Sequence, residues 1–314
     1  MNRFNLSNGI HHIPMSLPWS SPGFVNIYLI EDKNGYVMID CGVDGKEYYQ
    51  LLIEHLSNLK ISMQDISLLI GTHMHSDHIG LSTRIREQGV KFALYKNSKD
   101  HIYHYNDWKI RFRELIVLAE KQGAPKSFIQ DLNEIDTPIY AGKITEPDLL
   151  LEEGAIPEVD RKLYTLFTPG HDITEISIHD SSSKVIFSGD HILPKITPFI
   201  PTTSEDDDML GKYSDSLDKV FNINHSIIAP GHGGLITSPY ERIEQMKLHH
   251  KRRTGKILEI LDASKKSGWE ILEELFPRNQ FNTIETQEHY LECHLRGICT
   301  SKGIKIVENL INNN

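Results

Sequence analysis

Cysteine is scarce in this 314-residue chain, with only Cys41, Cys293 and Cys299. Their number is odd, Cys41 stands far from the other two, and no C-x-x-C pair occurs. A disulfide framework is therefore not expected, and reduced thiols suit a cytosolic setting. Long apolar runs are missing too: none approaches the roughly 18 residues that a membrane span needs. The N-terminal MNRFNLSNGIHHIP has no apolar signal-peptide core. A cytoplasmic protein with no membrane partner is the expectation. Basic residues are in deficit, 33 lysines and arginines against 43 acids, for a net charge of −10. Broad, non-specific nucleic-acid binding needs the opposite balance, although a local basic patch remains compatible. There is no tandem repeat, no low-complexity segment and no G-x-S-x-G nucleophile elbow.

What the chain does have is a readable alternation of strands and helices. FVNIYLI (24–30) and YVMID (36–40) are β-rich, with the turn EDKNG between them. KEYYQLLIEHLSNL carries apolar residues at helical spacing, and ISLLIGT reads as a buried strand. IGLSTRIREQG predicts a helix that stops at Gly89, and VKFALY predicts another strand. Such an order predicts a layered α/β fold. Residues 98–154 change texture and predict a helical insertion between core strands. Its Tyr103, Tyr105, Trp108 and Phe112 either line a cleft or pack the insertion onto the body. Strands resume with KLYTLFT, EISIHD and KVIFSGD, the last two flanking a serine turn. MLGKYSDSLDKVF predicts a helix whose start is marked by the acids Glu205 to Asp208. HSIIAPGHGG is a strand ending in a glycine-rich turn.

A second unit is expected from Ser238, giving a catalytic domain over 1–237 and a small domain over 238–314. SPYE places a serine cap, a proline at the first helical position and a glutamate three residues after the cap. SGWEILEELF repeats that logic with Ser267 and Glu270. A further helix (TQEHYLECHLRGICTSKG) and a short strand (IKIVEN) complete a winged-helix-like pattern.

Seventeen histidines is a high count, and their placement matters more than the number. GTHMHSDHIG (71–80) packs His73, His75, Asp77 and His78 immediately after an apolar strand. Alternate residues of an extended chain face the same way, so His73 and His75 can aim at one point. Asp77 and His78 sit where the chain turns into a helix and can face a second point nearby. Neutral imidazole binds zinc-type ions strongly, and carboxylate can terminate or bridge them. More donors follow at matching places, each in a polar break after a strand: His171 in LFTPGHD, Asp190 in IFSGDH and His232 in IIAPGHGG. A glycine precedes each one, allowing a sharp turn and close approach.

Across roughly residues 20–240 the chain resembles the metallo-β-lactamase fold hydrolases. THMHSDHIG matches that family's H-x-H-x-D-H signature, YVMIDCG its earlier aspartate motif, and TPGHD, SGD and PGHGG the later ones in order. The resemblance implies a four-layer αββα sandwich with the site at its edge. It implies that His73, His75 and His171 bind one metal, Asp77, His78 and His232 the other, and that Asp190 bridges them. Asp40 would orient a ligand histidine from behind. The expected cofactors are two divalent ions, zinc first, with iron or manganese also suited. Two ions about 3.5–4 Å apart can share a water as hydroxide near neutral pH. Asp77 and Asp190 are then the catalytic carboxylates, and no protein nucleophile is required. The site stays cationic and should attract anionic or strongly polar substrates.

The chain also departs from the family pattern. Many members read H-S-x-G after the later histidine, whereas here HDIT places Thr174 at the glycine position and Glu175 next to it. That acid is expected behind the ligands or at the pocket rim. His191 is expected to point away from the metals, and His11, His12, His101, His104, His179 and His225 to serve surface or packing roles.

For substrate there are two readings. The metal core is shared with hydroxyacylglutathione hydrolase-like thioesterases, and the layout with a helical tail is similar to lactamase-like endoribonucleases. In the ribonuclease-like pattern, His249 and Arg253 match a histidine and a second arginine, but His250 stands where the first arginine would be. The 238–314 segment carries a net charge of only +1, and its third helix bears Glu285, Glu288 and Glu292. That opposes phosphate-backbone recognition and favours a packing or dimer element. The expected activity is hydrolysis of a thioester, ester or lactone carbonyl in a small molecule. The alternatives are a phosphodiesterase acting on single-stranded RNA and, third, a non-catalytic binding protein. Lys195, His249 and Arg253 are the candidate substrate contacts.

Overall fold

The computed structural model describes Phe4, Leu6 and residues 9–134, 142–201, 208–263 and 265–275. In chain order the elements are β1 (Ile10–Ser16), β2 (Phe24–Asp32), β3 (Gly35–Ile39), α1 (Lys46–Asn58), β4 (Ile66–Ile70), α2 (Ser76–Ile79), α3 (Ser82–Arg86) and β5 (Lys91–Tyr95). Then come α4 (Ile102–Asn106), α5 (Trp108–Lys121), α6 (Lys126–Glu134), β6 (Leu149–Leu151), β7 (Gly154–Ala155), β8 (Leu163–Phe167), β9 (Ile176–Asp180) and β10 (Val185–Gly189). The last are α7 (Met209–Phe221), β11 (Ile227–Pro230), α8 (Pro239–Ala263) and α9 (Gly268–Leu275).

The strands form two sheets, in the orders β1-β2-β3-β4-β5-β6 and β11-β10-β9-β8-β7. In the first, β1 to β3 are antiparallel and β3 to β6 parallel. In the second, β10 and β11 are parallel and the remaining pairs antiparallel.

Side-chain alternation builds the layers, because successive residues of a strand face opposite ways. In β3 to β5, Val37, Ile39, Leu68, Ile70, Ala93 and Tyr95 face the second sheet, where they meet Ile176, Ile178, Val185 and Phe187. Met38, Leu69, Phe92 and Leu94 face outward onto α1 and α3 through Leu52, Leu56 and Ile85. From the second sheet, Ile186 and Ile228 face the opposite way and pack on Tyr213 and Leu217 of α7 and Ile243 and Met246 of α8. The result is helices, sheet, sheet, helices: the expected αββα sandwich.

Several elements refine the sequence reading. The chain HHIP and its neighbours, unassigned from sequence, form β1, which pairs in full register with β2. The single helix expected up to Gly89 is two short ones, α2 and α3, with Gly80 between them. A Cβ on Gly80 would lie 2.4 Å from the Asp44 backbone nitrogen, so the chain passes too close there for a side chain. The 98–154 segment holds α4 to α6, but its end is β6, paired parallel to β5 in the first sheet. Tyr105 is buried in the core and Tyr103 lies 67% exposed. The side chains of Trp108 and Phe112 lie outside the described set. α9 carries the expected capping box, with Ser267 N and Oγ donating to Glu270 Oε2 at 2.7 and 2.9 Å. It packs onto the 98–154 helices through Trp269, Leu272, Ala119 and Phe128. The third helix and strand expected in the tail lie outside the described residues.

Candidate metal centre

Strands β8, β10 and β11 run the same way and finish at one edge of the second sheet, and β4 brings its end to them. Backbone bonds join the sheets at this edge, with Ile176 N donating to Thr72 O (2.8 Å) and Asn26 N to Gly231 O (2.7 Å), while Gly231 N donates to Gly189 O (2.7 Å) within the second sheet. The four strand ends deliver His73, His75, Asp77, His78, His171, Asp190 and His232. Three ligand groups result, each with its donor atoms within 4.8 Å of one another: His73, His75 and His171; Asp77, His78 and His232; and His73, His78 and Asp190.

Hydrogen bonds behind these rings fix which nitrogen faces the centre. A carbonyl oxygen can only accept, so His171 Nδ1 donates to Phe199 O (2.6 Å) and His232 Nδ1 to Phe24 O (2.7 Å). His78 Nδ1 donates to Asp40 Oδ2 at 2.7 Å. Thr72 Oγ1 gives its only proton to Asp40 Oδ2 (2.9 Å), so it accepts from His73 Nδ1 at 3.0 Å. All four rings are thereby left with Nε2 turned inward. His75 is the reverse case, with Nδ1 3.0 Å from His171 Nε2 and Nε2 3.8 Å from Asp172 Oδ2.

The inward atoms suit cations. His73 Nε2 and Asp190 Oδ1 are buried with no hydrogen-bond partner among the described residues, and a buried polar atom normally has one. Asp190 Oδ2 lies 3.7 Å from His171 Nε2 and 3.4 Å from His232 Nε2, so one carboxylate faces both halves. Five imidazoles and two carboxylates fit a pair of divalent ions of the zinc type.

Glycine makes the convergence possible at two points. A Cβ on Gly231 would fall 2.6 Å from Asp190 Oδ1 and 2.7 Å from His78 Cε1. Gly189, at φ 52°, would place one 2.8 Å from Thr72 Oγ1.

The electrostatics divide the histidines. Burial pushes His73 well below the usual imidazole range, and the neighbouring His78, His75, His171 and His232 rings push the same way. Burial also lowers His171, only partly offset by Asp190. For His78, burial opposes the charge, but Asp40, Asp77 and Asp190 outweigh it and raise the ring to about 9. His232 rises for the same reason, chiefly through Asp190. Burial would raise the Asp77 carboxyl, yet His78 and His232 hold it at about 2. Asp190 is likewise depressed, against its burial, by His232 and His78.

A sequence profile of the metallo-beta-lactamase superfamily matches residues 20–232. The chain belongs to that superfamily. It is 26% identical over 265 residues to a probable metallo-hydrolase, YqjP, of Bacillus subtilis, covering 81% of each chain. It is 24% identical over 200 residues to the human acyl-coenzyme A thioesterase MBLAC2, covering 59% of this chain and 64% of that protein. A crystal structure of a metallo-beta-lactamase family protein from Thermus thermophilus superposes with a TM-score of 0.74 at 25% identity over 92% of each chain. The fold is that of the superfamily, and the protein is a metallo-hydrolase.

All seven candidate ligands read from the sequence converge at this edge, and Asp40 lies behind His78. Glu175 is not at the rim. It is fully buried, and its Oε1 accepts from Asp190 N at 3.0 Å. Burial, with Asp190 and Asp172 adding to it, pushes its carboxyl well above the usual range. His191 packs its ring against Tyr213 at 5.0 Å, and burial lowers it to about 3. Lys195 is exposed on the loop after β10. His249 is exposed on α8, its ring 5.4 Å from that of His250. Arg253 is half-buried on the same helix. Neither belongs to a ligand group. Three supporting residues escaped the sequence reading. Thr72 and Asp172 are neighbours of ligands, and their adjacency was the available signal. Arg242 donates to Leu193 O (2.7 Å) and Ile196 O (2.8 Å), tying α8 to the loop that carries Lys195. No motif marked it.

Proposed function

We propose that the protein is a binuclear metal-dependent hydrolase that opens a thioester, ester or lactone carbonyl in a small, acyl-bearing, anionic substrate. The observation that carries this reading is the position of Asp190, whose Oδ2 faces His171 of one ligand triad and His232 of the other. His73, His75 and His171 would hold one ion, Asp77, His78 and His232 the second, and Asp190 both. When bound, two such ions supply a nucleophilic hydroxide near neutral pH and polarise the carbonyl oxygen.

The chain's own residues do the rest. Asp40, Thr72 and the carbonyls of Phe24 and Phe199 hold four imidazoles in the tautomer that turns Nε2 to the centre. Asp77, held ionised at neutral pH by His78 and His232 against its burial, would take up the proton that the nucleophilic water gives up. Lys195, exposed on the loop after Asp190, is the proposed contact for a substrate anion. The carbonyl preference is supported by the likeness to a human acyl-coenzyme A thioesterase. It is also supported by the acidic balance of the chain, net −10. His250 at the arginine position of the ribonuclease-like pattern points the same way.

The test is a side-by-side assay of zinc-loaded protein on acyl-coenzyme A thioesters and single-stranded RNA. Thioester turnover without RNA cleavage is expected. RNA cleavage without thioester turnover would overturn the carbonyl reading.

A further inference from the structure

We infer that Glu175 is a positioning residue of the metal centre, fixing the Asp190 backbone and backing the His73 ring so that both ligands face one point. The inference rests on the reading of His73 and Asp190 as metal ligands.

Glu175 immediately precedes β9. Its backbone is tied on both sides, with N donating to Asp172 O (3.3 Å) and O accepting from Thr168 N (3.0 Å). That anchorage points the side chain inward, between the His73 turn and the end of β10. There Oε1 accepts from Asp190 N at 3.0 Å and lies 3.9 Å from His73 Nδ1. Oε2 is buried with no partner among the described residues.

Asp190 itself is buried and follows a glycine at φ 52°. Its N–H lies off the regular ladder and would be an unsatisfied buried donor without Glu175. Satisfying it also fixes the peptide plane from which the bridging carboxylate projects. Glycine at 189 leaves room for the brace, since a Cβ there would approach Glu175 Oε1 to 3.3 Å and Thr72 Oγ1 to 2.8 Å. A buried carboxyl is expensive to keep where packing alone is wanted. An apolar side chain of the same length would fill the space as well. What only an acceptor supplies is the bond to Asp190.

The neighbouring residues serve the same cluster. Asp172 Oδ2 lies 3.8 Å from His75 Nε2, and Asp172 Oδ1 is held by Thr174 N (2.7 Å) and Oγ1 (2.6 Å). The unusual HDITE stretch thus braces three ligands from one short turn.

The discriminating experiment is zinc titration by calorimetry on metal-free wild type and on Glu175→Gln, Glu175→Met and Glu175→Asp proteins, with folding checked by circular dichroism. Gln keeps an acceptor at the same reach and should stay within threefold of wild type. Met fills the space without an acceptor, and Asp withdraws the acceptor by one methylene. Both should lose roughly 10–100-fold in zinc affinity, the range for groups that support metal ligands. Should the Met protein fail to fold, the Asp protein decides. Wild-type affinity in a folded Met or Asp variant would overturn the inference, as would a Gln variant that loses as much as Met. If wild type itself takes up no zinc, the metal-ligand reading fails instead.

Discussion

Asp40 Oδ2 and His78 Nδ1 lie 2.7 Å apart in a pocket closed to solvent. The same carboxylate accepts from Thr72 N (2.8 Å) and Thr72 Oγ1 (2.9 Å). One side chain therefore orients His78 directly and His73 through Thr72, one ring in each triad. Its backbone sits at φ 60°, a left-handed position that Asp and Asn tolerate better than other side chains. Asp40→Asn should keep the backbone and lose the charge on His78. Zinc affinity is expected to fall about 10–100-fold, with the fold intact by circular dichroism. Unchanged affinity would remove Asp40 from the account.

Thr72 sets the His73 tautomer by donating to Asp40 and accepting from Nδ1. Thr72→Val deletes that relay and leaves two buried partners short, while Thr72→Ser retains the hydroxyl. In chelated protein the Val variant should be less stable by about 1–3 kcal/mol in urea unfolding, and its zinc affinity should fall about tenfold. The Ser variant should follow wild type. Equal behaviour of Val and Ser would show that His73 needs no such partner.

The buried histidines should make two opposed contributions to the stability of the metal-free protein, which meet near the unfolded imidazole value of about 6.5. His73, His171 and His191 are held neutral by burial, below their unfolded value. Acid protonates them in the unfolded chain first, so stability falls as the pH drops below about 6.5. His78 is raised to about 9 and His232 is raised as well. Their contribution is complete below the unfolded value and is lost as the pH rises toward 9. Saturating zinc replaces those protons and should flatten the alkaline limb. Urea midpoints between pH 5 and 9, with and without zinc, test this. A metal-free protein that gains stability from pH 6.5 to 9 would contradict it.

Much of this candidate centre was legible in the sequence because each candidate ligand sits next to a local signal. His73, His75, Asp77 and His78 follow an apolar strand, and His171, Asp190 and His232 each follow a glycine. Gly231 shows why that glycine is needed, since a side chain there would strike Asp190 and His78. The partners behind the ligands were harder to read because they meet across the sheets. Phe24 and His232 are 208 residues apart and join through a backbone carbonyl, which no residue type announces. Arg242 reaches the loop at Leu193 and Ile196 only because α8 packs on α7. In the fold, β6 was hidden because three leucines read equally well as helix. β1 was hidden because His11, His12 and Pro14 mask its alternation. Substrate specificity is the least legible part, since Lys195, His249 and Arg253 are surface residues with no pattern that binds them to the chemistry.

Two triads that share Asp190 should hold two ions. Metal content per chain, measured on protein purified without chelators and reloaded with zinc, tests this most directly when wild type is set beside Asp190→Ala. Two ions per chain are expected in wild type, and in the folded variant a loss of at least one ion together with loss of hydrolysis. One ion or fewer in wild type, or two retained with near-normal turnover in Asp190→Ala, would contradict it.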